Sequence, residues 1–447
     1  MNNKVLILRF ALLVVLSITG CSNVATSNPT PIPDVAPTAM PDPTATLPTE
    51  KPLFVAFAKN GDLHLWDSVS KQSHLVLKSG DVTSVMISDD GQVIAFIRSA
   101  SSFEPLLVEH SALWAVDSNG ENPRELISDE TLRQIMNPPP EDSAGFAQIS
   151  WLPGTHRLVY STMKFHAPGQ GFTNSKDIYV VDADTGSNVV LATDIMPDTP
   201  FLNAWSFVIS PDSQQIAMFS ATELSFINTD GSNLRRAVLT YLTVGMGDAI
   251  LLPKGVWTKD STAFVFTGPI ESDSPFVLNY TIWRVPADGS QPQSLATIMN
   301  SHSNHITFSP DGQRIVFYQD INGDGTIQTE EHRIMPLTAG AGPLALPSSH
   351  ELVRWSPDGE AFVVKDLDLF QLCPEATNLS EVCGDPIPLA SGSNLIDGIG
   401  WVDEDRFLYR ALEPTSFFLG RLDGTILPIG NWTDDDALEG WSFYVPH

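Results

Sequence analysis

The stretch Phe308-Ser309-Pro310-Asp311-Gly312, followed by Arg314-Ile315-Val316-Phe317, decides the fold of this chain. Its centre has the composition of a tight turn, because proline fixes φ, aspartate bonds to nearby backbone and glycine accepts a positive φ. The apolar residues on both sides of the turn are typical of β-strands. The stretch therefore predicts an antiparallel hairpin.

The hairpin pattern recurs along the chain. Trp355 to Gly359 repeats the full turn, and five more divergent copies precede or follow these two. A third strand such as Ile178-Tyr179-Val180-Val181-Asp182, a turn containing glycine and a short outer strand such as Asn188 to Leu191 follow most hairpins. The spacing of about 50 residues is close to that of β-propeller blades, so each repeat predicts one four-stranded blade.

The two ends of the repeat region complement each other. Residues 53–57, 63–66 and 74–77 have the pattern of the second, third and fourth strands of a blade, whereas Gly440 to Val445 has the pattern of a first strand. Pairing these ends closes the ring and removes exposed sheet edges. We therefore expect one all-β propeller over residues 53–447, with eight blades of four antiparallel strands. Seven blades with a displaced terminal hairpin is the alternative.

These motifs together resemble the TolB-like family of bacterial β-propellers. The resemblance rests on the Ser-Pro-Asp-Gly hairpins, on strands such as Ile94-Ala95-Phe96 and on the strand at residues 178–182. It covers most of residues 53–446. Because the family includes periplasmic scaffolds, lipoproteins and the propellers of prolyl peptidases, the resemblance implies the fold and leaves the activity open.

The N-terminus has the pattern of a bacterial lipoprotein signal. Lys4 and Arg9 precede an apolar run that is too short to span a bilayer, and Thr19-Gly20-Cys21 resembles the lipobox. We predict a signal peptide over residues 1–20 and acylation of Cys21; an ordinary cleaved signal with an incidental cysteine is the alternative. The protein would then be lipid-anchored outside the cytoplasm, at the bacterial cell membrane or envelope.

A tether follows the acylated cysteine. Residues 22–50 hold seven prolines and six threonines and no aromatic residue, so residues 21–52 are expected to form a disordered Pro/Thr-rich segment. The chain has 24 Lys and Arg against 53 Asp and Glu, a net charge of −29. This charge argues against nucleic acid and against charge-driven docking on anionic lipid, so membrane contact is expected through the lipid anchor only.

Residues 320–331 match the calcium loop of an EF-hand, D-x-[DN]-x-[DN]-G-x₅-E. The candidate Ca²⁺ ligands are Asp320, Asn322, Asp324, the Thr326 carbonyl, Gln328 through water and a bidentate Glu331. Both flanks have strand patterns, so we expect the loop to join two strands of one blade and the ion to be structural. A solvated Asn-Gly-Asp-Gly turn is the alternative.

Two cysteines remain beside the acylated one. Cys373 and Cys383 are ten positions apart, and outside the cytoplasm such a pair predicts a local disulfide. Two free thiols are the alternative, and no neighbouring histidine or Cys-x₂-Cys pair indicates a zinc site.

The sequence contains no G-x-S-x-G, H-E-x-x-H or Walker motif. We therefore expect a monomeric, non-enzymatic binding or scaffolding module for a protein, a peptide or a cell-envelope glycan. Propellers usually bind ligands where the loops that enter the innermost strands meet. The candidate ligand funnel in those loops comprises Asn203, Trp205, Lys254, His302, His305, His350, Glu351, Asp397 and Glu439. The alternative is a propeller enzyme, a lyase or sugar-acting enzyme that uses the histidines and acids of this funnel.

Overall fold

A computed structural model provides the structure of the chain. It describes residues 51–102, 108–166, 171–195, 205–243, 245–246, 249–250, 252–271, 278–301, 306–320, 330–338, 341–345, 350–366, 369–374, 386, 396–412, 415–433 and 436–446. The predicted signal peptide, Cys21 and nearly all of the predicted tether lie outside these residues, so the domain boundaries at residues 20 and 52 stay predictions.

The first half of the chain forms blades one to four, with one helix between blades two and three. Blade one contains β1 (Phe54–Lys59), β2 (Asp62–Asp67) and β3 (Gln72–Leu77). Blade two contains β4 (Val82–Ile87), β5 (Val93–Ser102), β6 (Val108–Asp117) and β7 (Arg124–Ile127), and α1 (Asp129–Met136) follows it. Blade three contains β8 (Ser143–Trp151), β9 (Arg157–Phe165), β10 (Phe172–Asn174), β11 (Ile178–Asp182) and β12 (Asn188–Ala192). Blade four contains β13 (Trp205–Ile209), β14 (Gln215–Ser220), β15 (Glu223–Asn228) and β16 (Arg235–Thr240).

The second half of the chain forms blades five to eight and completes blade one. A small hairpin, β17 (Gly245–Met246) and β18 (Ala249–Ile250), precedes blade five, which contains β19 (Gly255–Trp257), β20 (Ala263–Ile270), β21 (Leu278–Pro286) and β22 (Gln293–Ser301). Blade six contains β23 (Thr307–Phe308), β24 (Arg314–Asp320), β25 (Glu330–Pro336) and β26 (Leu344–Ala345). Blade seven contains β27 (His350–Trp355), β28 (Ala361–Asp366) and β29 (Leu369–Pro374). Blade eight contains β30 (Ile396–Trp401), β31 (Arg406–Leu412), β32 (Thr415–Arg421) and β33 (Ile426–Pro428), and β34 (Leu438–Tyr444) joins blade one.

Strand β34 closes the ring. It pairs antiparallel with β1, with Phe54 opposite Tyr444 and Phe57 opposite Trp441, and it supplies the first strand of blade one. The prediction of eight blades closed by the two ends of the chain is therefore confirmed.

Eight hydrophobic clusters hold the ring, one at each junction between neighbouring blades. Strand β14 shows how a strand serves two junctions, because successive side chains of a strand point to opposite faces. Ile216 and Met218 pack against blade three, whereas Ala217 and Phe219 pack against blade five. The alternating apolar pattern of the sequence is therefore the pattern of a sheet that is buried on both faces.

Five of the turns between a first and a second strand share one set of hydrogen bonds. In blade four the buried Ser210 Oγ donates to Asp212 Oδ1 (2.6 Å) and accepts from the Gln215 amide (2.9 Å). Equivalent Ser–Asp or Thr–Asp pairs occupy four other blades, as Ser88–Asp90, Thr258–Asp260, Ser309–Asp311 and Ser356–Asp358. The serine and aspartate of the repeated motif thus satisfy the backbone of the turn.

Antiparallel pairing sorts the connections onto two faces. The turns that join the first to the second strand and the third to the fourth strand lie at one edge of each blade, here called the lower face. The loops that join the second to the third strand, and those that enter the first strand, lie at the opposite edge, here called the upper face. The predicted ligand funnel belongs to the upper face.

Within the part of the chain that the structure describes, helix α1 is the one departure from the all-β prediction. It begins after Ser128, whose side chain accepts a hydrogen bond from the Thr131 amide (3.1 Å), and acidic residues occupy its first turn. Among the residues that the structure describes, no helix is long and apolar enough to cross a membrane.

Candidate functional site

Most residues of the predicted funnel fall at the entry to a first strand on the upper face. Trp205 begins β13, Lys254 precedes β19 and Glu439 lies in β34. His350 and Glu351 begin β27, and Asp397 lies in β30, but the structure describes only the backbone of these three residues. Asn203, His302 and His305 lie outside the described residues, so the funnel as a whole stays a prediction.

The funnel side chains that the structure describes have local roles. Trp205 is buried, and its Nε1 donates to the Ser175 carbonyl oxygen (2.6 Å). Glu439 Oε2 accepts from the Gly61 amide (2.6 Å) and so fixes the loop between β1 and β2. Lys254 is exposed, and its backbone bonds to Thr267. These three side chains shape the upper face without forming one cluster.

A denser polar group lies on the upper face of blades two and three. Strands β5 and β6 have 10 residues each and β9 has 9, against 6 in β14 and 6 in β15 of blade four. Helix α1 contacts β6, β8 and β9. This places residues 129–146 beside residues 162–166 and 171–176. We call the polar residues of this region the rim cluster: Asp81, Arg98, His110, Asp129, Arg133, Asp142 and His166.

Asp129 is the centre of the first part of the rim cluster. Its Oδ2 lies 2.8 Å from His110 Nδ1 and 3.1 Å from Arg133 Nε, and its Oδ1 accepts from the Ser111 amide (3.2 Å). A carboxylate can only accept hydrogen bonds, so Nδ1 of His110 is the donor. This pairing orients the imidazole as carboxylates orient histidines that transfer protons or bind metals.

Asp142 and His166 form the second part of the rim cluster. His166 Nδ1 lies 2.9 Å from Asp142 Oδ2, and its Nε2 lies 2.8 Å from Thr173 Oγ1. Both ring nitrogens therefore bond within the protein, and this histidine ties hairpin β9–β10 to the entry of blade three. Arg133 Nη1 reaches the Asp142 carbonyl oxygen (3.4 Å) and links the two parts.

Asp81 and Arg98 form the third part, at the entry to blade two. Arg98 Nε and Nη2 donate to the two carboxylate oxygens of Asp81 at 2.9 Å each, and its guanidinium lies over the Trp114 ring. Burial opposes ionisation of Asp81, but hydrogen bonds from Arg98 and Ser79 outweigh it and hold the pKa of this carboxyl below its ordinary value. The pair is a fixed, charge-balanced element of the rim.

None of the rim-cluster side chains was predicted from the sequence. Ser128-Asp129-Glu130 is a helix-start signal that could have revealed α1 and the position of Asp129. The pairings of His110 and His166 with carboxylates carry no such local signal, because their partners lie 19 and 24 residues away.

The predicted calcium loop joins β24 and β25 on the upper face of blade six. Asp320 lies opposite Glu330 in the ladder, and Gln319 lies opposite Glu331. The strand flanks are therefore confirmed, and the first and last positions of the loop, Asp320 and Glu331, are displaced by one residue in the ladder. Asn322, Asp324, Thr326 and Gln328 lie outside the described residues, and so do the side chains of Asp320 and Glu331. In the described ranges, no group of three or more His, Cys, Asp or Glu side chains is placed to hold a metal ion.

The predicted disulfide is described at one end. Cys373 is buried and disulfide-bonded, whereas Cys383 lies outside the described residues. Gln371 of β29 forms an antiparallel bridge with Pro386. The chain therefore runs beside β29 again shortly after Cys383 in the sequence. This geometry agrees with a Cys373–Cys383 bond, which stays a prediction.

Comparison with known proteins identifies the fold and not the family. No family model and no curated protein matches the sequence. The β-propeller domain of the trilobed protease from Pyrococcus furiosus is similar, with a TM-score of 0.48 at 13% identity over 79% of this chain and 96% of that one. An oligogalacturonate lyase in complex with manganese has a TM-score of 0.46 at 12% identity over 71% and 84%. The acylaminoacyl peptidase of Pyrococcus horikoshii has a TM-score of 0.45 at 14% identity over 79% of this chain and 52% of that one, so this chain spans about half of the peptidase.

These comparisons correct one expectation. The prediction that the chain is not an enzyme is wrong, because the similar structures belong to a protease, a lyase and a peptidase. Missing catalytic motifs therefore do not place this propeller among non-enzymatic proteins. The propeller part of the TolB-like resemblance is confirmed, and the family itself stays a prediction.

Proposed function

We propose that this chain binds a cell-envelope glycan at the upper face of blades two and three. The observation that carries the proposal is an exposed pair of aromatic rings beside the rim cluster. Phe165 and Phe172 are directly opposite each other in the β9–β10 ladder and are 39% and 38% exposed. Directly opposite residues share one face of a hairpin, so the two rings lie on the same side.

The chemistry of this region suits a sugar chain better than a charged polymer. Sugar rings pack their C–H faces on aromatic rings, and their hydroxyl groups bond to fixed polar side chains. The aspartates of the rim cluster are paired with arginine or histidine, so the region is polar and nearly balanced in charge. Many of the remaining acids lie in the turns of the lower face, where they serve the backbone.

Anchoring through Cys21 would place this site within the envelope. A tether of about 30 residues reaches on the order of 90 Å when extended, far enough to present the propeller to a surface glycan. Changing Cys21→Ala should move the protein from the membrane fraction to the soluble fraction, because the acyl chains supply the membrane affinity. Retention of the variant in washed membranes would contradict the anchor.

Calcium at residues 320–331 would be structural in this scheme. The ladder between β24 and β25 brings the ends of the loop together, and three of the candidate ligands carry carboxylates, which repel one another without a cation. The ion would rigidify the upper face of blade six.

A second candidate function is an enzyme, a lyase or sugar-acting enzyme, that acts on the same glycan. His110 supports it, because Asp129 orients its imidazole as a general base is oriented. Incubation with glycan should then release fragments detectable by mass spectrometry, and His110→Gln should stop the release while binding is retained. Intact glycan after prolonged incubation would contradict this second function.

Binding to purified cell-wall glycan tests the proposal. Phe165→Ala combined with Phe172→Ala should weaken binding at least tenfold in a co-sedimentation assay with sacculi, and Val189→Ala should leave it unchanged. Val189 is the matched control, because it is an exposed apolar residue of the same blade on the outer strand β12. Equal binding by both variants, or recovery of the chain only with envelope proteins after glycan digestion, would overturn the glycan assignment.

A further inference from the structure

Blades two and three meet on the lower face at a charged joint. His156 follows the first turn of blade three, and its side chain is 20% exposed. Its Nε2 lies 3.0 Å from Asp90 Oδ2 of blade two, and its Nδ1 lies 2.9 Å from Asp184 Oδ2 of blade three. A cavity of about 520 Å³ lies at this joint, lined by these three residues with Asp89 and Gly154 among others. Carboxylates only accept hydrogen bonds, so both contacts are satisfied only when both ring nitrogens carry protons.

This joint differs chemically from the next two junctions along the chain. Where blade four meets blade three, Ser213 Oγ donates to the Pro153 carbonyl oxygen (2.6 Å), and where it meets blade five, the Asp212 amide donates to Ser261 Oγ (3.0 Å). These contacts use hydroxyl and backbone groups that do not titrate near neutral pH. Only the junction of blades two and three, among these, depends on a histidine.

The sequence of blade three explains the difference. Its turn reads Leu152-Pro153-Gly154-Thr155, and so it lacks both the serine and the aspartate of the common motif. In this turn the side chain that bonds to the backbone is that of Thr155, whose Oγ1 donates to the Leu152 carbonyl oxygen (2.7 Å). The turn of blade two keeps its aspartate, which bonds to Ser88 through Oδ1 and to His156 through Oδ2.

Other charged groups surround the joint from both blades. From blade two come Asp89, which accepts from the Gly154 amide (2.9 Å), Asp117 and Arg124. Arg124 lies 2.9 Å from Asp117 Oδ1 and 3.6 Å from Asp184 Oδ1, so it spans the same junction. From blade three come Asp182 and Arg157, which interact with each other. Carboxylates outnumber bases here, so the proton on His156 offsets net negative charge.

We propose that His156 is a proton-dependent latch between blades two and three. When the imidazole is protonated, it bonds to Asp90 and Asp184 together and holds the lower edges of the two blades in contact. When the proton leaves, one of the two contacts becomes a nitrogen lone pair facing a carboxylate, and the lower edges separate.

The direction of the pH effect follows from the environment of the ring. Burial favours neutral His156, but hydrogen bonds to Asp184 and Asp90 and the charges of both carboxylates outweigh burial and raise its pKa above the ordinary value of about 6.5. A group whose pKa is raised in the folded state stabilises that state below about pH 6.5 and loses this effect as the pH rises through the folded-state pKa. The latch is therefore closed in acid and opens towards alkaline pH.

Hydrogen exchange on the whole protein tests the latch. After correction for intrinsic rates, protection of the turns at residues 88–92 and 152–157 should fall between pH 6 and pH 9, tenfold for each unit by which the pKa exceeds its ordinary value. The corresponding turn of blade seven, residues 356–361, is the internal control and should show no such change. Equal pH dependence in all three turns, or none in any, would overturn the proposal.

A variant separates the latch from general destabilisation. His156→Gln should lower the melting temperature relative to wild type at pH 6 and match wild type at pH 9, whereas His74→Gln, an exposed histidine on β3, should match wild type at both. A constant difference between His156→Gln and wild type would contradict a proton-dependent role. If the variant does not fold, the NMR titration of His156 in wild type decides, because a pKa at or below 6.5 excludes the latch.

Discussion

At the residue scale, a buried hydroxyl explains why serine opens the repeated turn. Ser210 is 1% exposed, and it both donates to Asp212 and accepts from the Gln215 amide. Its loss would leave the half-buried Gln215 amide without this partner, and a buried group left unpaired costs about 1–3 kcal/mol. The sequence motif therefore reports hydrogen bonding as well as turn geometry.

Ser210→Ala should accordingly lower the free energy of unfolding by about 1–2 kcal/mol. Ser232→Ala is the matched control, since Ser232 is exposed in a lower-face turn of the same blade and also donates to an aspartate, Asp230. Its loss should cost only a few tenths of a kcal/mol. Urea unfolding of both variants decides, and similar losses would show that burial of the hydroxyl is unimportant.

Asp403 and Arg406 provide a pH test at the same scale. The Arg406 side chain is 3% exposed, and its Nε and Nη2 contact Asp403 Oδ2 at 2.7 and 2.6 Å. Burial alone would raise the pKa of Asp403, but hydrogen bonds from Arg406 and its charge lower it below the ordinary value. The pair therefore stabilises the fold above about pH 4, and this effect is lost as the pH falls through the lowered pKa.

Asp403→Asn should thus cost about 1–3 kcal/mol at pH 7, less than a fully buried pair because Asp403 is 38% exposed. The melting temperatures of variant and wild type should converge below pH 4. A difference that persists unchanged at pH 3 would show that the carboxylate charge does not carry the effect.

Residue patterns predicted the backbone far better than they predicted the site. Turn residues and alternating apolar positions act locally, so the hairpins at Ser309 and Ser356 were visible in the sequence. The pairing of His110 with Asp129 depends on how two long hairpins and a helix meet, and no local pattern encodes it. The expectation of a non-enzymatic protein failed for a related reason, because catalysis on a propeller does not require a contiguous motif.

At the element scale, β34 is the strand on which closure depends. It covers the edge of β1 over the register from Phe54–Tyr444 to Lys59–Leu438. Its apolar side chains also join the cluster between blades eight and one, with Leu438 buried and Trp441 packed against it. Both the sheet and the neighbouring core therefore depend on this strand.

Deleting residues 438–447 should expose the edge of β1 and open the ring between its ends. We expect a large fall in melting temperature and association of the variant in size-exclusion chromatography. Deleting residues 446–447, which follow the strand, should change neither. A truncated protein that stays monomeric with an unchanged melting temperature would contradict the role of β34.

The loop between β24 and β25 provides a second test at this scale. Millimolar calcium should raise the melting temperature of chelator-treated protein, since an ion that binds only the folded state stabilises it. Asp324→Ala should abolish most of the rise, whereas Asp423→Ala, in a turn of blade eight, should preserve it. Magnesium should substitute poorly because it prefers a smaller octahedral shell. No calcium heat in isothermal titration would reject the site.

Helix α1 was not predicted, because the repeat pattern describes the blades and not the connections between them. The helix lies in the connection between two blades, where neither turn chemistry nor alternation predicts structure. Its start signal, Ser128 with acids in the first turn, was present. Segments between repeats therefore carry their own helix signals, which the repeat pattern does not include.

At the scale of the whole molecule, the two faces of the propeller have different chemistry. The lower face carries the turn aspartates, and bonds within the turns hold the pKa values of several of them below the ordinary value, as for Asp260 at about 2. The upper face of blades two and three carries paired charges and exposed rings. The net charge of −29 is thus partly a product of turn construction and does not by itself indicate the ligand.

In the proposed function, the glycan binds at the upper face of blades two and three. Hydrogen exchange of the full protein with and without soluble cell-wall glycan fragments tests it most directly. We expect bound glycan to increase the protection of backbone amides from exchange in residues 108–117, 129–136 and 157–174. The lower-face turns at residues 210–215 and 356–361 should show no change. Protection confined to the lower-face turns, or no protection at saturating glycan, would contradict it.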